Sequence, residues 1–534
     1  MLQERLRALA RDTLRGMRRG IEKESLRTQP DGALAQTPHP AALGSALAHP
    51  HITTDFSESQ LELITGVHPS AESCLEELTR LHQFVFRAIG DELMWAGSMP
   101  CGLPAEDQIP VGRYGTSNIG RAKTVYRNGL SWRYGRRMQA ISGIHYNWSM
   151  PGLGDAEYFS LIRNFRRHGW LLFYLFGASP AVCSSFVAGR RHPLKELRPG
   201  TLHLPHATSL RMGRLGYQSD AQSSLVVSCN DLLAYGTTLQ QGLTQVYPPY
   251  AAIGIREPGA LGDGPETYRQ LSTTLLQIEN EFYGKIRPKR RIRSGERPLH
   301  ALRERGVEYV EVRLMDLDPF APVGITLPVM RFLDVFLLHC LLSDSPPDTP
   351  EDIACESRNQ ETVAQRGREP GLKLGCFPGD MGLREWGEKL LAECEPVAAA
   401  VDAALGGNAY REAHAKQAAV MRDPMLVPSA RVLVEMQRSY QGSYTGFICE
   451  LSRKHRAVLM AQELPREEAE RFARLAAKSI AKQKQIEAGD TLPFEEYRKK
   501  YLAVERLGPY GGPTAYGGGP TAYGGPTAHP TKEK

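Results

Sequence analysis

The chain has 534 residues, 41% of them hydrophobic, enough for a sizeable core and for several average domains or one large enzyme. Lysine plus arginine number 65 against 59 aspartate plus glutamate, and this net charge of +6 lacks the clustered blocks of a nucleic-acid tail, so a polyanion is not a required partner. The nine cysteines are scattered without a C-x-x-C pair, which suggests neither a disulfide framework nor a zinc knuckle and fits a reducing cytosol.

The N-terminal "MLQERLRALARDTLRGMRRG" spaces its leucines helically but has no continuous apolar run, which argues against a secretory signal. The most apolar stretch, "WLLFYLFGA" from Trp170, is far too short to span a bilayer. The expectation is a soluble, cytoplasmic protein with no membrane partner.

Next comes "RGIEKESLR", residues 19–27. In an extended strand an E-x-E pair puts the carboxylates of Glu22 and Glu24 on one face, where they repel unless a cation lies between them. Taken alone, the pair reads as a solvated, charged helix start. The following "TTDFSESQLELITG" changes that, because Asp55, Glu58 and Glu62 are interleaved with Phe56, Leu61, Leu63 and Ile64, which suit an element packed on the core. Acids on the core side need partners.

Short strand-like runs punctuated by Gly, Pro and Asn continue to about residue 345: "HITTDF", "SGIHYNWSMP", "SLVVSCNDLL" and "GVEYVEVRLMDLDP". Between them, "AEYFSLIRNFRRHGWLLFYLF" predicts one buried helix, with Phe159, Ile162, Phe165 and Trp170 near helical spacing and Pro180 as its stop. "RFLDVFLLHCLL", 331–342, predicts a second buried helix. His145, within "SGIHYNWS", reads by itself as an ordinary satisfied histidine. "IENEFYGKIRPKRRIRSGE" gathers Arg287, Lys289, Arg290, Arg291 and Arg293 around a proline, which is either a solvated basic loop or an electropositive rim for nucleotide phosphate. In "GVEYVEVRLMDLDPF", alternation puts Tyr309, Glu311 and Arg313 on one face; the acid and the guanidinium are either an ion pair or a magnesium ligand beside a phosphate clamp. No Walker-type loop or G-x-G-x-x-G fingerprint is present, so an ATP site would be built on a sheet with metals.

From about 383 the pattern turns helical throughout and predicts a cap or bundle against the sheet. The expected organisation is one catalytic domain over 1–507, mixed to about 345 and mostly helical over about 346–507. A GGPTAY-repeat tail follows at 508–534, whose composition predicts disorder.

Eight ordered blocks decide among these alternatives: "RGIEKESLR", "HPAALGSALAHPHITTDFSESQLELITG", "MWAGSMPC", "YGTSNIGRAKTVYRNGL", "RYGRRMQAISGIHYNWSMP", "YLFGASPAVCSSF", "IENEFYGKIRPKR" and "EYVEVRLMDLDPF". Together they resemble the proteobacterial-type glutamate–cysteine ligases, or γ-glutamylcysteine synthetases. The likeness runs from residue 16 to about 330 and more weakly through "PGLKLG" and the helical end. It departs in a shorter connection after "HYNWSMP" and in the tail. The resemblance implies an α+β fold, a glutamine-synthetase-like antiparallel sheet curved into a funnel with helices outside. It implies a reaction in which ATP phosphorylates the γ-carboxylate of L-glutamate and the amine of L-cysteine displaces phosphate, giving γ-glutamylcysteine. Such phosphoryl transfer needs positioning and charge neutralisation rather than a protein nucleophile.

Carried over by motif, Glu22, Glu24, Asp55, Glu62, His145 and Glu311 would hold two or three Mg2+ ions, with Mn2+ as the alternative ion. Arg313 would meet the transferring phosphate beside Glu311, and Arg287, Lys289, Arg290 and Arg293 would serve the nucleotide. The amino-acid pocket would comprise Phe56, Tyr126, Leu130, Gln139, Arg211 and Tyr217, with Arg211 gripping a carboxylate. The family also suggests glutathione as a feedback inhibitor, and a monomer is expected. The rivals are a sister ligase coupling glutamate to another amine, a phosphagen-kinase-like enzyme, and a nucleic-acid binder using 285–293, which leaves the acidic clusters unexplained.

Overall fold

The structure, a computed structural model, describes residues 2–216, 221–260, 262, 264–293, 295–375 and 379–508. The expected tail therefore lies outside the described residues from 509 onward, as does Tyr217.

Strand β1, Arg18–Thr28, is the spine of the molecule and carries the E-x-E pair in extended conformation. Around it are β2 (Ile52–Thr54), β3 (Gln60–Ile64), β4 (Leu93–Met94), β5 (Ile144–Ser149), β6 (Ile286–Lys289) and β7 (Tyr309–Met315). They form a seven-stranded sheet in the order β2-β3-β1-β5-β7-β6, with β4 on the far end of β1, and every pairing is antiparallel. The sheet is open, running from β2 at one edge to β6 at the other.

Period-two alternation sorts the side chains of these strands onto two different environments. Ile21, Leu61, Leu63, Ile144, Tyr146, Trp148, Val310 and Val312 face a helical layer and belong to one buried core. That layer includes α1 (Ala71–Ala88), which approaches β1 and β3. On the opposite side of the sheet lies α2, Asn118–Tyr134, capped at its start by the Ser117 hydroxyl, which accepts from the Gly120 N–H. The helical layer continues with α3 (Asp155–His168), α4 (Trp170–Phe176) and α5 (Leu327–Leu342). α5 packs against α3 and α1, and its Asp334 reaches the sheet to bind Arg19 and accept from Tyr146 and Tyr410.

Three expectations are corrected. The single helix predicted over 156–176 is two, α3 and α4, separated at Gly169, the residue type that least favours a helix interior apart from proline. The run "SLVVSCNDLL" forms no strand. Arg163 donates to the carbonyls of Cys229 and Asn230 and Arg166 to that of Val227, so side chains occupy acceptors that a ladder would use. Asp231 then caps a helix from Leu232 by accepting from the Ala234 N–H. Cysteines also pair: Cys101 and Cys183 form a disulfide with Cα atoms 5.3 Å apart. They are 82 residues apart in sequence, so no local spacing marks them.

From Leu383 the chain is helical as expected. α6 (Leu383–Leu405) and α7 (Ala409–Arg422) pack on each other and on α5. α8 (Tyr444–Ala461) and α9 (Arg466–Ala488) rest against α1. Among the described residues no helix is long and apolar enough to cross a membrane.

Candidate active site

The face of the sheet turned away from the helical core is charged. Register explains the grouping: Glu22 pairs with His145 across β1 and β5, Glu24 with Glu62 across β1 and β3, and Glu311 stands between Asn147 on β5 and Arg287 on β6. Alternation along each strand then aims these side chains at one cavity. It is lined by Glu22, Glu24, Asp55, Glu62, His145 and Glu311, by the cations Arg287, Lys289 and Arg313, and by Phe56, Tyr126, Leu130 and Gln139. These thirteen expected residues, drawn from seven separate stretches of sequence, thus meet at one place.

His145 is the hub of the acids. Its Nδ1 lies 3.2 Å from Glu22 Oε2 and 3.6 Å from Glu311 Oε1, and its Nε2 lies 3.4 Å from Glu24 Oε1. Glu22 Oε1 accepts from Asn147 Nδ2 at 2.9 Å, and Glu24 Oε2 accepts from the Gly143 N–H at 2.7 Å. Lys289 Nζ and Arg313 Nη1 both approach Glu311 Oε1, at 3.4 and 3.1 Å. Gln139 Nε2 donates to the Tyr283 hydroxyl at 2.8 Å on the pocket's more apolar side.

Burying so many carboxylates together is costly unless something positive joins them. Burial and then the neighbouring Asp55 push Glu24 up to about 8. Burial and then Glu22, Asp55 and Glu24 push Glu62 well above the ordinary range. Glu311 goes the other way: burial opposes its ionisation, but Lys289, Arg313 and Arg287 hold it well below the usual carboxylate range. Burial and then Arg313 lower His145, which keeps the imidazole neutral and available as a ligand.

The donor set fits a divalent cation. Glu22, His145 and Glu311 each offer an atom, all within 4.8 Å of one another, and all three residues are buried. Among the described residues, the buried Glu311 Oε2 and Asn147 Oδ1 find no hydrogen-bond partner. Carboxylate oxygens with one imidazole are donors that magnesium and manganese accept.

Other expected residues lie elsewhere. Arg290 falls on the opposite parity from Arg287 and Lys289, and it donates to the carbonyls of Arg305 and Gly306. Arg291 pairs with Glu308, and Arg293 is largely exposed beside Glu304. The basic run therefore contributes two side chains to the cavity, and the others brace a neighbouring helix and loop. Arg211 is fully buried off the cavity lining, where its Nη2 donates to the Arg313 carbonyl at 2.9 Å. Glu58 serves structure, accepting from the backbone N–H groups of His39 and Arg113.

The family model described as glutamate-cysteine ligase matches residues 4–363. The glutamate–cysteine ligase of Alcanivorax borkumensis is 46% identical over 523 residues, covering 94% of this chain and 99% of that protein. The chain belongs to the glutamate–cysteine ligase family. Among solved structures, the glutamate–cysteine ligase of Francisella tularensis in complex with AMP aligns with a TM-score of 0.85 and 37% identity, covering 91% of this chain and 97% of that one. A bifunctional glutathione synthetase from Pasteurella multocida aligns with a TM-score of 0.68 and 25% identity, over 89% of this chain and 57% of that larger protein. Every cavity residue of this glutamate–cysteine ligase family member falls within the stretch matched by the family model.

Sequence reasoning missed several lining residues of the ligase site: Thr53, Thr54, Lys123, Arg127, Met138, Ile141, Asn280 and Tyr283. Lys123 and Arg127 could have been found, since they flank Tyr126 at helical spacing of one face with Leu130. Asn280 and Tyr283 sit around a 3-10 turn, Glu279–Glu281, whose path no periodicity announces.

Proposed function

We propose that the protein joins the γ-carboxylate of L-glutamate to the amino group of L-cysteine at the expense of ATP, through γ-glutamyl phosphate, releasing γ-glutamylcysteine, ADP and phosphate. This is the first step of glutathione biosynthesis. The observation that carries the proposal is the convergence of Glu22, His145 and Glu311 with Lys289 and Arg313 inside one cavity of a chain in this family.

Glu22, Glu24, Asp55, Glu62, His145 and Glu311 would hold magnesium ions. Magnesium held by these residues would supply charge neutralisation for the phosphate and help orient the transferring group. Arg313, fixed by Glu311 at 3.1 Å, presents its planar guanidinium to phosphate oxygens, and Arg287 and Lys289 add positive charge on the adjacent strand. The apolar wall of Phe56, Tyr126 and Leu130 excludes water from the acyl phosphate, which protects it until the amine attacks. Arg211 acts beneath the site, holding the Arg313 backbone in place. The sheet supplies a glutamine-synthetase-like funnel, and residues 1–507 act as one catalytic unit, a view supported by helices covering one face of the sheet while the cavity opens on the other.

The test is ADP release with magnesium, ATP and L-glutamate, with and without L-cysteine, and the product weighed by mass spectrometry. Cysteine-dependent release with γ-glutamylcysteine as product is the expected outcome. Glutamate-dependent release that ignores cysteine and answers to another amine would replace this function by that of a sister ligase.

A further inference from the structure

Asp55 is held differently from the other acids of the cavity. Glu22, Glu24, Glu62 and Glu311 rise from within β1, β3 and β7, strands that have a neighbour on both sides. Asp55 is the first residue beyond β2, the edge strand of the sheet. Its N–H donates to the Gln60 carbonyl, which ties it to the chain entering β3 on one side only. A carboxylate at an edge keeps its place in a site only if its backbone is fixed by something other than a ladder.

Tyr114 supplies that fixing. Its hydroxyl lies 2.8 Å from the Thr54 carbonyl and 3.1 Å from the Asp55 carbonyl, with its proton shared between them, and it accepts from the Thr54 hydroxyl at 2.8 Å. Arg127 of α2 donates to the same two carbonyls, from Nε to Asp55 and from Nη2 to Thr54. The Arg127 guanidinium carbon lies 4.5 Å from the centre of the Tyr114 ring and the Lys123 ammonium 4.9 Å, both within cation–π range. One aromatic side chain thus joins the end of β2 by its hydroxyl and α2 by its ring.

The packing around that hydroxyl is close. Tyr114 is 1% exposed and stands behind the cavity lining rather than in it. A Cβ on Gly112 would lie 2.9 Å from the Tyr114 hydroxyl and 3.2 Å from Thr54 Oγ1, and one on Gly120 would collide with the Tyr114 carbonyl. The chain closes on the hydroxyl from the Gly112 side and on the Tyr114 backbone from the first turn of α2.

We infer that Tyr114 is a positioning residue that acts through Asp55, fixing where its carboxylate stands in the cavity and hence how tightly magnesium is held. The inference rests on the function proposed above, in which Asp55 is one of the magnesium ligands. A partner that orients a metal ligand without touching the ion commonly contributes about ten- to a hundredfold to affinity.

Magnesium chloride titrated calorimetrically into the full chain separates position from mere stability. Tyr114→Phe keeps the ring beneath Arg127 and Lys123 and removes only the hydroxyl, so it should bind magnesium about tenfold more weakly than the wild type. Tyr158→Phe removes another buried tyrosine hydroxyl from a backbone carbonyl, that of Glu308 at 2.8 Å, far from Asp55 in the fold, and should leave magnesium affinity unchanged. In an Asp55→Asn background Tyr114→Phe should have no further effect, because two residues that act through one group do not add. Where Tyr114→Phe does not fold, Arg127→Lys, which weakens the other donor to the same carbonyls, is carried through the same cycle. Wild-type affinity in Tyr114→Phe, or a loss that persists in full beside Asp55→Asn, overturns the positioning role. Asp55→Asn with wild-type affinity, or a wild-type chain that takes up no magnesium, overturns instead the ligand assignment on which it rests.

Discussion

Glu22 and His145 face each other as register partners across β1 and β5, with Glu22 Oε2 3.2 Å from His145 Nδ1 and both side chains almost fully buried. A solvated charged face would not place an acid there. Glu311 completes the group from β7 at 3.6 Å, and its second oxygen has no hydrogen-bond partner among the described residues. Glu22→Gln and Glu311→Gln each remove one hard anionic donor while keeping nearly the same volume. Each should lower kcat by at least about a hundredfold, the scale of removing one electrostatic element from a site. Thermal melting should stay cooperative. ADP release near the wild-type rate in both variants would remove the metal assignment.

The same strand carries a different charge pair on its other face. Arg19 Nη2 lies 2.9 Å from Asp334 Oδ2, with both side chains within 1% of complete burial, and the Tyr146 and Tyr410 hydroxyls donate to the same carboxylate. Asp334→Ala would leave the guanidinium buried and uncompensated, costing about 3–5 kcal/mol. Urea unfolding should show that loss as a lower midpoint, while KM values for ATP, glutamate and cysteine hold steady under conditions where the variant is folded. A selective change in one KM with an unchanged midpoint would mean that the pair serves the site rather than the fold.

Much of this was legible in the sequence because period-two alternation is a strong local rule. It gave the shared face of Glu22 with Glu24 and of Glu311 with Arg313, and the buried positions of Leu61 and Leu63. Which strands would neighbour one another was not legible from composition or spacing; the order β3-β1-β5-β7 that joins Glu62 to Glu311 appears only in the folded structure. Alternation also accounts for Arg290, which follows Lys289 directly, takes the opposite parity and donates to the Arg305 and Gly306 carbonyls instead of entering the cavity. "SLVVSCNDLL" looks like a strand by composition, but the arginines that claim its carbonyls lie more than sixty residues away.

Gly143 shows how closely the backbone is fitted beneath the site. Its N–H donates to Glu24 Oε2, its carbonyl accepts from the Glu24 N–H, and a methyl group built on it would overlap the Arg211 guanidinium. Gly143→Ala should push Arg211 from the Arg313 carbonyl, at an overpacking cost of about 1–3 kcal/mol. The expected result is a lowered melting temperature together with a lower kcat, since Arg313 loses its backbone support. A variant with wild-type melting and wild-type kcat would show that Arg211 can move freely and does not position Arg313.

The raised carboxylates make magnesium binding a proton-linked event. Without metal, Glu24 keeps its proton up to about 8 because of burial and Asp55, and Glu62 is raised in the same sense by burial and the acids around it. Metal ligands must be deprotonated, so magnesium has to displace these protons as it binds. The sign follows: between the ordinary value of 4.5 and about 8 the metal-free folded protein holds more protons than either the unfolded chain or the metal-bound protein. Across that window, rising pH weakens this part of the metal-free stability and strengthens magnesium binding. Glu311, held well below 4.5, adds nothing there because it is already ionised. The magnesium-induced increase in melting temperature should therefore grow from pH 5 to pH 8, and isothermal titration should show proton release on binding. The increment should shrink in Glu24→Gln, which has no proton to give up. An increment that is flat or falls with pH would mean that magnesium does not bind to these carboxylates.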